Sequence, residues 1–301
     1  MSIRPVKKVI EAQPTLEGAG VRLRRAFGFG ATGEFDPFLL LDDFRNEHPE
    51  DYLAGFPWHP HRGIETITYV LAGTVNHGDS LGNQGTLGAG DVQWMTAGSG
   101  ILHQEMPEGD AQGRMHGFQL WANLPSSLKM TAPRYQDVVS RDIPEVIDDD
   151  GTRVRVICGD FWGQAGPVDG IAAEPRYLDV WVPAGRRKTL PVETSRHAFA
   201  YVFEGGGTFR DASAPGPVRT DQVGSGSPPS LDETGNRSLV LFDRGDEVTV
   251  QAGASGIRFL LVSGKPLAEP VAWRGPIVMN TDEELQQAYA ELRAGTFIRD
   301  R

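Results

Sequence analysis

Cys158 is the single cysteine in a chain of 301 residues. One thiol excludes an intrachain disulfide framework and fits a reducing compartment. It ends the apolar run Val154-Arg-Val-Ile-Cys158, so packing is its expected role. Positive charge is also in short supply: 29 Lys and Arg against 40 Asp and Glu leave a net charge of −11. That balance argues against direct binding to nucleic acid, which needs clustered cations on the phosphate backbone. The short basic run Arg22-Leu-Arg-Arg25 alternates as a strand should and reads as a solvated face. No stretch reaches the ~18 consecutive apolar residues of a membrane span, and the first residues lack the apolar core of a signal peptide. A cytoplasmic protein without membrane contact is expected, nuclear as well if eukaryotic, and monomeric.

Glycine and proline, by contrast, are plentiful at 37 and 21, which suits many short strands joined by turns. The length fits two domains of about 150 residues each. A proline-rich, charged passage from Leu124 to Asp150 reads as the junction, and a new run of strands begins at Arg153. The expected division is 1–140 and 141–301. The second half repeats the first: Gly90, Asp91 and Gly98 align with Gly245, Asp246 and Gly253, and Val70–Gly73 is mirrored by Val202–Gly205. Such a period indicates two copies of one barrel. Asp211 to Asp232, rich in Gly, Pro and Ser, reads as a long mobile loop. Near the end, Thr281 with Glu284 forms a capping box, Leu285, Ala288, Tyr289 and Leu292 make an apolar stripe, and Gly295 is placed to stop the helix.

The chemistry concentrates in the first half. His59 and His61 stand two apart, so an extended strand points both imidazoles to one face. Continuing that register brings Glu65, Ile67, Tyr69 and Leu71 to the same face, which reads as the barrel interior. After the glycine turn of Gly98-Ser-Gly100, His103 and Glu105 again lie two apart. Three imidazoles and a carboxylate from two strands could hold one octahedral transition metal and leave two open positions. Parity leaves Glu65 and Glu105 equally placed for the carboxylate. His48, in an acidic loop, and His77, beside the hairpin signal His77-Gly-Asp-Ser-Leu-Gly-Asn83, read as surface residues. Phe38–Leu41 is a buried run that Asp42-Asp43 breaks into a loop, and the first 45 residues hold two or three strands. Tyr52 and Phe56 are expected near the histidines. In His116–Trp121, His116 shares a face with Phe118 and Leu120, while Gln119 and Trp121 take the other; either lines the barrel.

Trp58-His-Pro-His-Arg-Gly63, Gly90-Asp-Val-Gln-Trp-Met-Thr-Ala-Gly98, His103-Gln-Glu-Met106, His116-Gly-Phe-Gln-Leu-Trp121 and Gly275-Pro-Ile-Val-Met-Asn280 resemble the motifs of the pirin family in the cupin superfamily. The likeness runs along nearly the whole chain. It implies an all-β fold of two tandem jelly-roll cupin barrels with a short C-terminal helix. It also implies metal ligands at His59, His61, His103 and Glu105, with Glu65 behind them or paired to Arg62. Gln119 would then lie near the metal. The implied ion is Fe(II), with Mn, Ni, Cu, Zn or Co as alternatives. The implied activity is a quercetinase-type flavonol 2,4-dioxygenase acting on a small phenolic substrate and O2, with Glu105 as the group that accepts the substrate's proton. A redox-sensing regulator that binds a protein partner is the alternative. In the second copy, His103 and Glu105 fall on Arg258 and Leu260, or one residue on, Phe259 and Leu261, so no metal is expected there.

Overall fold

The structure is a computed structural model that describes residues 2–169, 172–209 and 233–299. The expected loop at 211–232 lies outside the described residues. The chain is mostly β-strand with a short helix near its start and a longer one near its end, as two cupin domains require. The first half supplies β1 (Val6–Glu11), β2 (Gln13–Glu17), β3 (Val21–Phe27), β4 (Phe38–Asp43), β5 (Phe56–His61) and β6 (Ile64–Ala72). It continues with β7 (Thr74–Asp79), β8 (Gln84–Leu87), β9 (Val92–Thr96), β10 (Ile101–Glu108), β11 (His116–Asn123) and β12 (Arg134–Val138). Two antiparallel sheets close the first barrel: seven strands in the order β12-β9-β6-β11-β4-β3-β2, and four in the order β5-β10-β7-β8. The hairpin expected after His77 forms between β7 and β8.

Four strands, rather than two or three, occupy the first 45 residues, and Asp42 and Asp43 belong to β4 instead of a loop. Neighbours with the right chemistry keep these two carboxylates in the sheet. Arg25 donates to both Asp42 oxygens at 2.8 and 2.7 Å, while Asp43 accepts from Tyr201 Oη at 2.9 Å. Arg25 is accordingly not on a solvated face. It reaches inward between Asp42 and Glu17.

The two barrels share a wall. Ile67, Tyr69, Trp94, Phe118 and Leu120 on one face of the seven-stranded sheet pack with Cys158, Tyr177, Phe199, Tyr201 and Leu260 from the second half. Cys158 is buried there, as packing required, and burial pushes its thiol up to about 12. Polar links stitch the same interface. Asp179 accepts from Tyr69 Oη at 2.7 Å and takes a two-pronged ion pair from Arg258, while Arg155 donates to Tyr69 Oη.

The second barrel is filled. Phe259 and Leu261 point into it among Val156, Leu178, Val180, Ala200 and Phe209, whereas Arg258 and Leu260 face the first barrel. The termini cross over. β1 pairs with Ser238–Phe242 in the nine-stranded sheet of the second half, and the hairpin of Ala272–Arg274 with Ile277–Met279 returns to the first barrel. Val278 packs with Ile64, Met95 and Ile101, and Phe297 lies under the Arg62 guanidinium at 4.1 Å. The helix Asp282–Ala294 has the expected capping box at Thr281 and a left-handed Gly295 at its end. No described helix is long and apolar enough to cross a membrane.

Register fails at one point. The inward face assigned to Glu65, Ile67, Tyr69 and Leu71 by continuing from His59 and His61 is in fact the face against the second barrel. Gly63, at φ +77°, turns the chain from one sheet into the other between β5 and β6. A Cβ there would meet the Val278 carbonyl oxygen at 2.0 Å, so glycine is required twice over. Glu65 is therefore buried beside Ala122 and Thr96, where it accepts from Thr96 Oγ1 at 2.8 Å. Arg62 pairs with Glu291 and the Phe297 carbonyl instead.

Burial pushes the Glu65 carboxyl from 4.5 up to about 7, and its Oε2 has no partner among the described residues. A folded-state value above the unfolded one makes its stabilisation complete below pH 4.5 and lost as pH rises through 7. Glu65→Gln should thus gain on wild type by on the order of 3 kcal/mol between pH 4.5 and 8, read by denaturant melts at each pH. A pH-independent difference would show that Glu65 is ionised in the fold.

Candidate metal centre

Within the four-stranded sheet the alternation of side chains holds. His103 on β10 sits opposite His59 on β5, Ile101 opposite His61, and a bulge follows before Glu105 meets Phe56. The ligand-capable nitrogens of His59, His61 and His103 all lie within 4.8 Å of one another. The rings pack edge to face or tilted at 4.3 to 4.9 Å between centroids.

The donor set fits a metal on two observations. His59 Nδ1 lies 2.8 Å from the Pro57 carbonyl oxygen, and His61 Nδ1 lies 3.0 Å from that of Pro276. A carbonyl only accepts, so both Nδ1 atoms carry protons and each Nε2 presents a lone pair. Those two Nε2 atoms face each other at 3.1 Å, a contact that needs a cation or a proton between them. His103 is fully buried, with neither ring nitrogen hydrogen-bonded among the described residues. Burial in company with His59 pushes His61 down to about 3 and, with both neighbours, drives His103 well below its usual range. His61 and His103 are hence neutral, the form that ligates.

Glu105 stands beside this trio. It is buried, its Oε1 lies 3.0 Å from Thr68 Oγ1, and burial raises its carboxyl above the usual range against the pull of His59. Glu65 is on the far face of the seven-stranded sheet, so of the two glutamates that parity left open it is Glu105 that borders the cavity with His59 and His61. His77 is a correction: it is buried across from Glu105, with its ring stacked on Tyr135, because the turn begins only after Asp79. His48 is exposed. His116 packs against Phe118 and Phe203 toward the second barrel, which leaves Gln119 and Trp121 on the cavity side.

A cavity of about 650 Å³ opens over the centre. Apolar side chains such as Val21, Leu23, Phe44, Phe56 and Met115 form most of it, with Tyr52 also in the wall. Trp121 meets His61 edge-on at 5.0 Å and Trp273 at 6.0 Å, so the returning C-terminal hairpin supplies part of the wall. Sequence reasoning missed four contributors here: Thr68, placed on the outer face by the register error; Asp42, read as loop; Arg25, read as solvated; and the Pro276 carbonyl, a backbone group no side-chain motif announces.

Comparison with known proteins supplies the family. Residues 20–122 match the pirin family and residues 177–298 the pirin C-terminal cupin domain. A pirin-like protein of Caulobacter vibrioides is 46% identical over 99% of this chain and all of its own. A Pseudomonas aeruginosa protein with the name "Putative quercetin 2,3-dioxygenase" is 42% identical over 97% of both chains. The crystal structure of quercetin 2,3-dioxygenase from Acinetobacter baumannii superposes with a TM-score of 0.84 at 30% identity, covering 98% of this chain and 99% of that one. Two matched domains and full-length relatives together settle the matter: the chain belongs to the pirin family of cupin proteins.

Proposed function

We propose that the first barrel is a metal-dependent dioxygenase of the quercetinase type, which opens the central ring of a flavonol with O2 and releases carbon monoxide. The observation that carries the reading is the convergence of three imidazoles beside an apolar, aromatic-walled cavity that His59, His61 and the buried Glu105 border. The names of the Pseudomonas and Acinetobacter proteins support the same chemistry. His59, His61, His103 and Glu105 would hold one ion, Fe(II) first among the candidates. A transition metal in such a site supplies adjacent open positions for a chelating substrate and redox access to dioxygen.

The chain's own residues do the rest. The flavonol hydroxyl has to lose its proton before the ring becomes electron-rich enough to react. Glu105 is placed to accept it, since it borders the cavity with His59 and His61. The Thr68 hydroxyl holds the Glu105 carboxylate in position. Trp121, Phe56 and Trp273 give flat apolar surfaces along which a planar substrate can lie. The same surfaces exclude water from the reacting atoms.

Purified protein should carry close to one transition-metal ion per chain by elemental analysis. His59→Ala or His103→Ala should abolish it, and Glu105→Gln should weaken it severely. Glu65→Gln should leave metal content at the wild-type level; metal loss in that variant and retention in Glu105→Gln would overturn the ligand assignment.

Fe(II)-loaded protein with quercetin in air should consume dioxygen, bleach the flavonol and release carbon monoxide. Glu105→Ala should be inactive. Metal-replete protein that leaves flavonols intact and binds a protein partner in one oxidation state only would replace the enzyme reading with a regulatory one.

A further inference from the structure

A line of polar side chains crosses the inner face of the seven-stranded sheet at a single level. Arg25 on β3 lies opposite Asp42 on β4, Asp42 opposite Gln119 on β11, and Gln119 opposite Thr68 on β6. All four border the cavity, in a wall otherwise rich in Val21, Leu23, Leu40 and Phe44. Thr68 touches Glu105, so the line begins at the candidate metal centre. Neighbouring strands lie about 4.8 Å apart, which puts Asp42 roughly 10 Å from Thr68, beyond the reach of a single phenol ring anchored at the histidines.

Stability does not account for this line. A buried ion pair in an apolar wall gains little over well-packed aliphatic residues, because desolvation offsets the attraction. What the pair offers is a fixed acceptor. Each Asp42 oxygen takes one N–H of Arg25 and keeps a second lone pair. Gln119 extends the line toward the metal. Thr68 Oγ1 lies 3.0 Å from Glu105 Oε1 and 2.7 Å from Gln119 Oε1, and one hydroxyl proton cannot serve both oxygens, so the Gln119 amide is assigned the other way round, with its NH2 toward Thr68. The network closes when Gln119 donates its NH2 to Thr68 and Thr68 donates to Glu105. The Gln119 carbonyl oxygen is then left as a further acceptor. At the far end Glu17 adds a second carboxylate on Arg25, 2.8 Å away, so this end of the cavity carries two acids to one base.

We propose that Asp42, held by Arg25, is a second anchor that selects polyphenols bearing a neutral hydroxyl on a ring remote from the chelating oxygens. Phenolic O–H groups donate to it; a remote sulfate or carboxylate is rejected by the Asp42 and Glu17 charges. Monocyclic catechols reach the centre but not the anchor. The proposal rests on the reading of this cavity as a flavonol site, and its test separates the two.

The test is an anaerobic titration of metal-loaded protein, followed by quenching of tryptophan fluorescence, with quercetin and with 3-hydroxyflavone, which lacks remote hydroxyls. Wild type should bind quercetin at least about tenfold tighter, the scale of a hydrogen bond to a charged group. Asp42→Asn should bring the ratio near one with metal content unchanged. Glu17→Gln, at a half-exposed position, should relieve the rejection of a flavonol sulfated on a remote ring. Equal binding of the two flavonols by wild type, binding of neither, or an unchanged ratio in folded Asp42→Asn would overturn the anchor. If Asp42→Asn does not fold, an unaltered rejection of the sulfate by Glu17→Gln overturns it too. Quercetin turnover alongside an unchanged ratio leaves the dioxygenase standing without the anchor; selective binding without turnover leaves the anchor without the dioxygenase.

Discussion

One sheet with two unlike faces governs this protein. In β6, β11 and β4 the side chains of Ile67, Tyr69, Phe118, Leu120 and Leu41 go toward the second barrel, and those of Thr68, Gln119, Trp121, Leu40 and Asp42 toward the cavity. A one-residue slip would exchange the two sets, placing Ile67, Tyr69 and Leu120 in the cavity beside the histidines and Thr68 and Gln119 in an apolar interface. The apolar contact between barrels and the cavity beside the histidines are therefore a single decision about register. Asp42 and Asp43 show the same logic in adjacent residues: one carboxylate turns to Arg25 in the cavity and the next to Tyr201 in the neighbouring barrel.

How much of this was legible follows from the range over which alternation can be trusted. Inside β5 and β10 the alternation holds far enough to bring His59, His61 and His103 together, and Glu105 borders the same cavity as His59 and His61. Across Gly63 the count broke. A left-handed residue and a change of sheet reset which face is inward, and a sequence records neither as a number. That single reset misplaced Glu65 and hid Thr68. Asp42-Asp43 misled for another reason: two carboxylates signal a loop unless their partners, Arg25 and Tyr201, are already known to be adjacent. His77 carried no signal that would have placed it inside.

The second half shows its part in the side chains its strands pack. Leu261 and Phe259, rather than Arg258 and Leu260, occupy the interior of the second barrel, and they fill it along with Val180 and Phe209. Where the first barrel borders a cavity, the described strands of the second pack their inward side chains against one another. Its outward face supplies Asp179, Tyr201 and Leu260 to the shared wall. The filled copy is thus the buttress against which the hollow one is held open.

The crossing of the termini has a consequence for synthesis. His61 is presented early in the chain, but the carbonyl that fixes its ring belongs to Pro276, 215 positions later. Arg62, next to it, waits for Glu291 and the Phe297 carbonyl. On the ribosome the first barrel can pair its strands long before these partners emerge. Until they do, the imidazole of His61 is free to turn and the basic side chain beside it has no counterion there. The order of translation thus places the locking of the donor set at the very end, when both halves are already made. Separating the two halves would take the Pro276 carbonyl from His61 and Glu291 and the Phe297 carbonyl from Arg62.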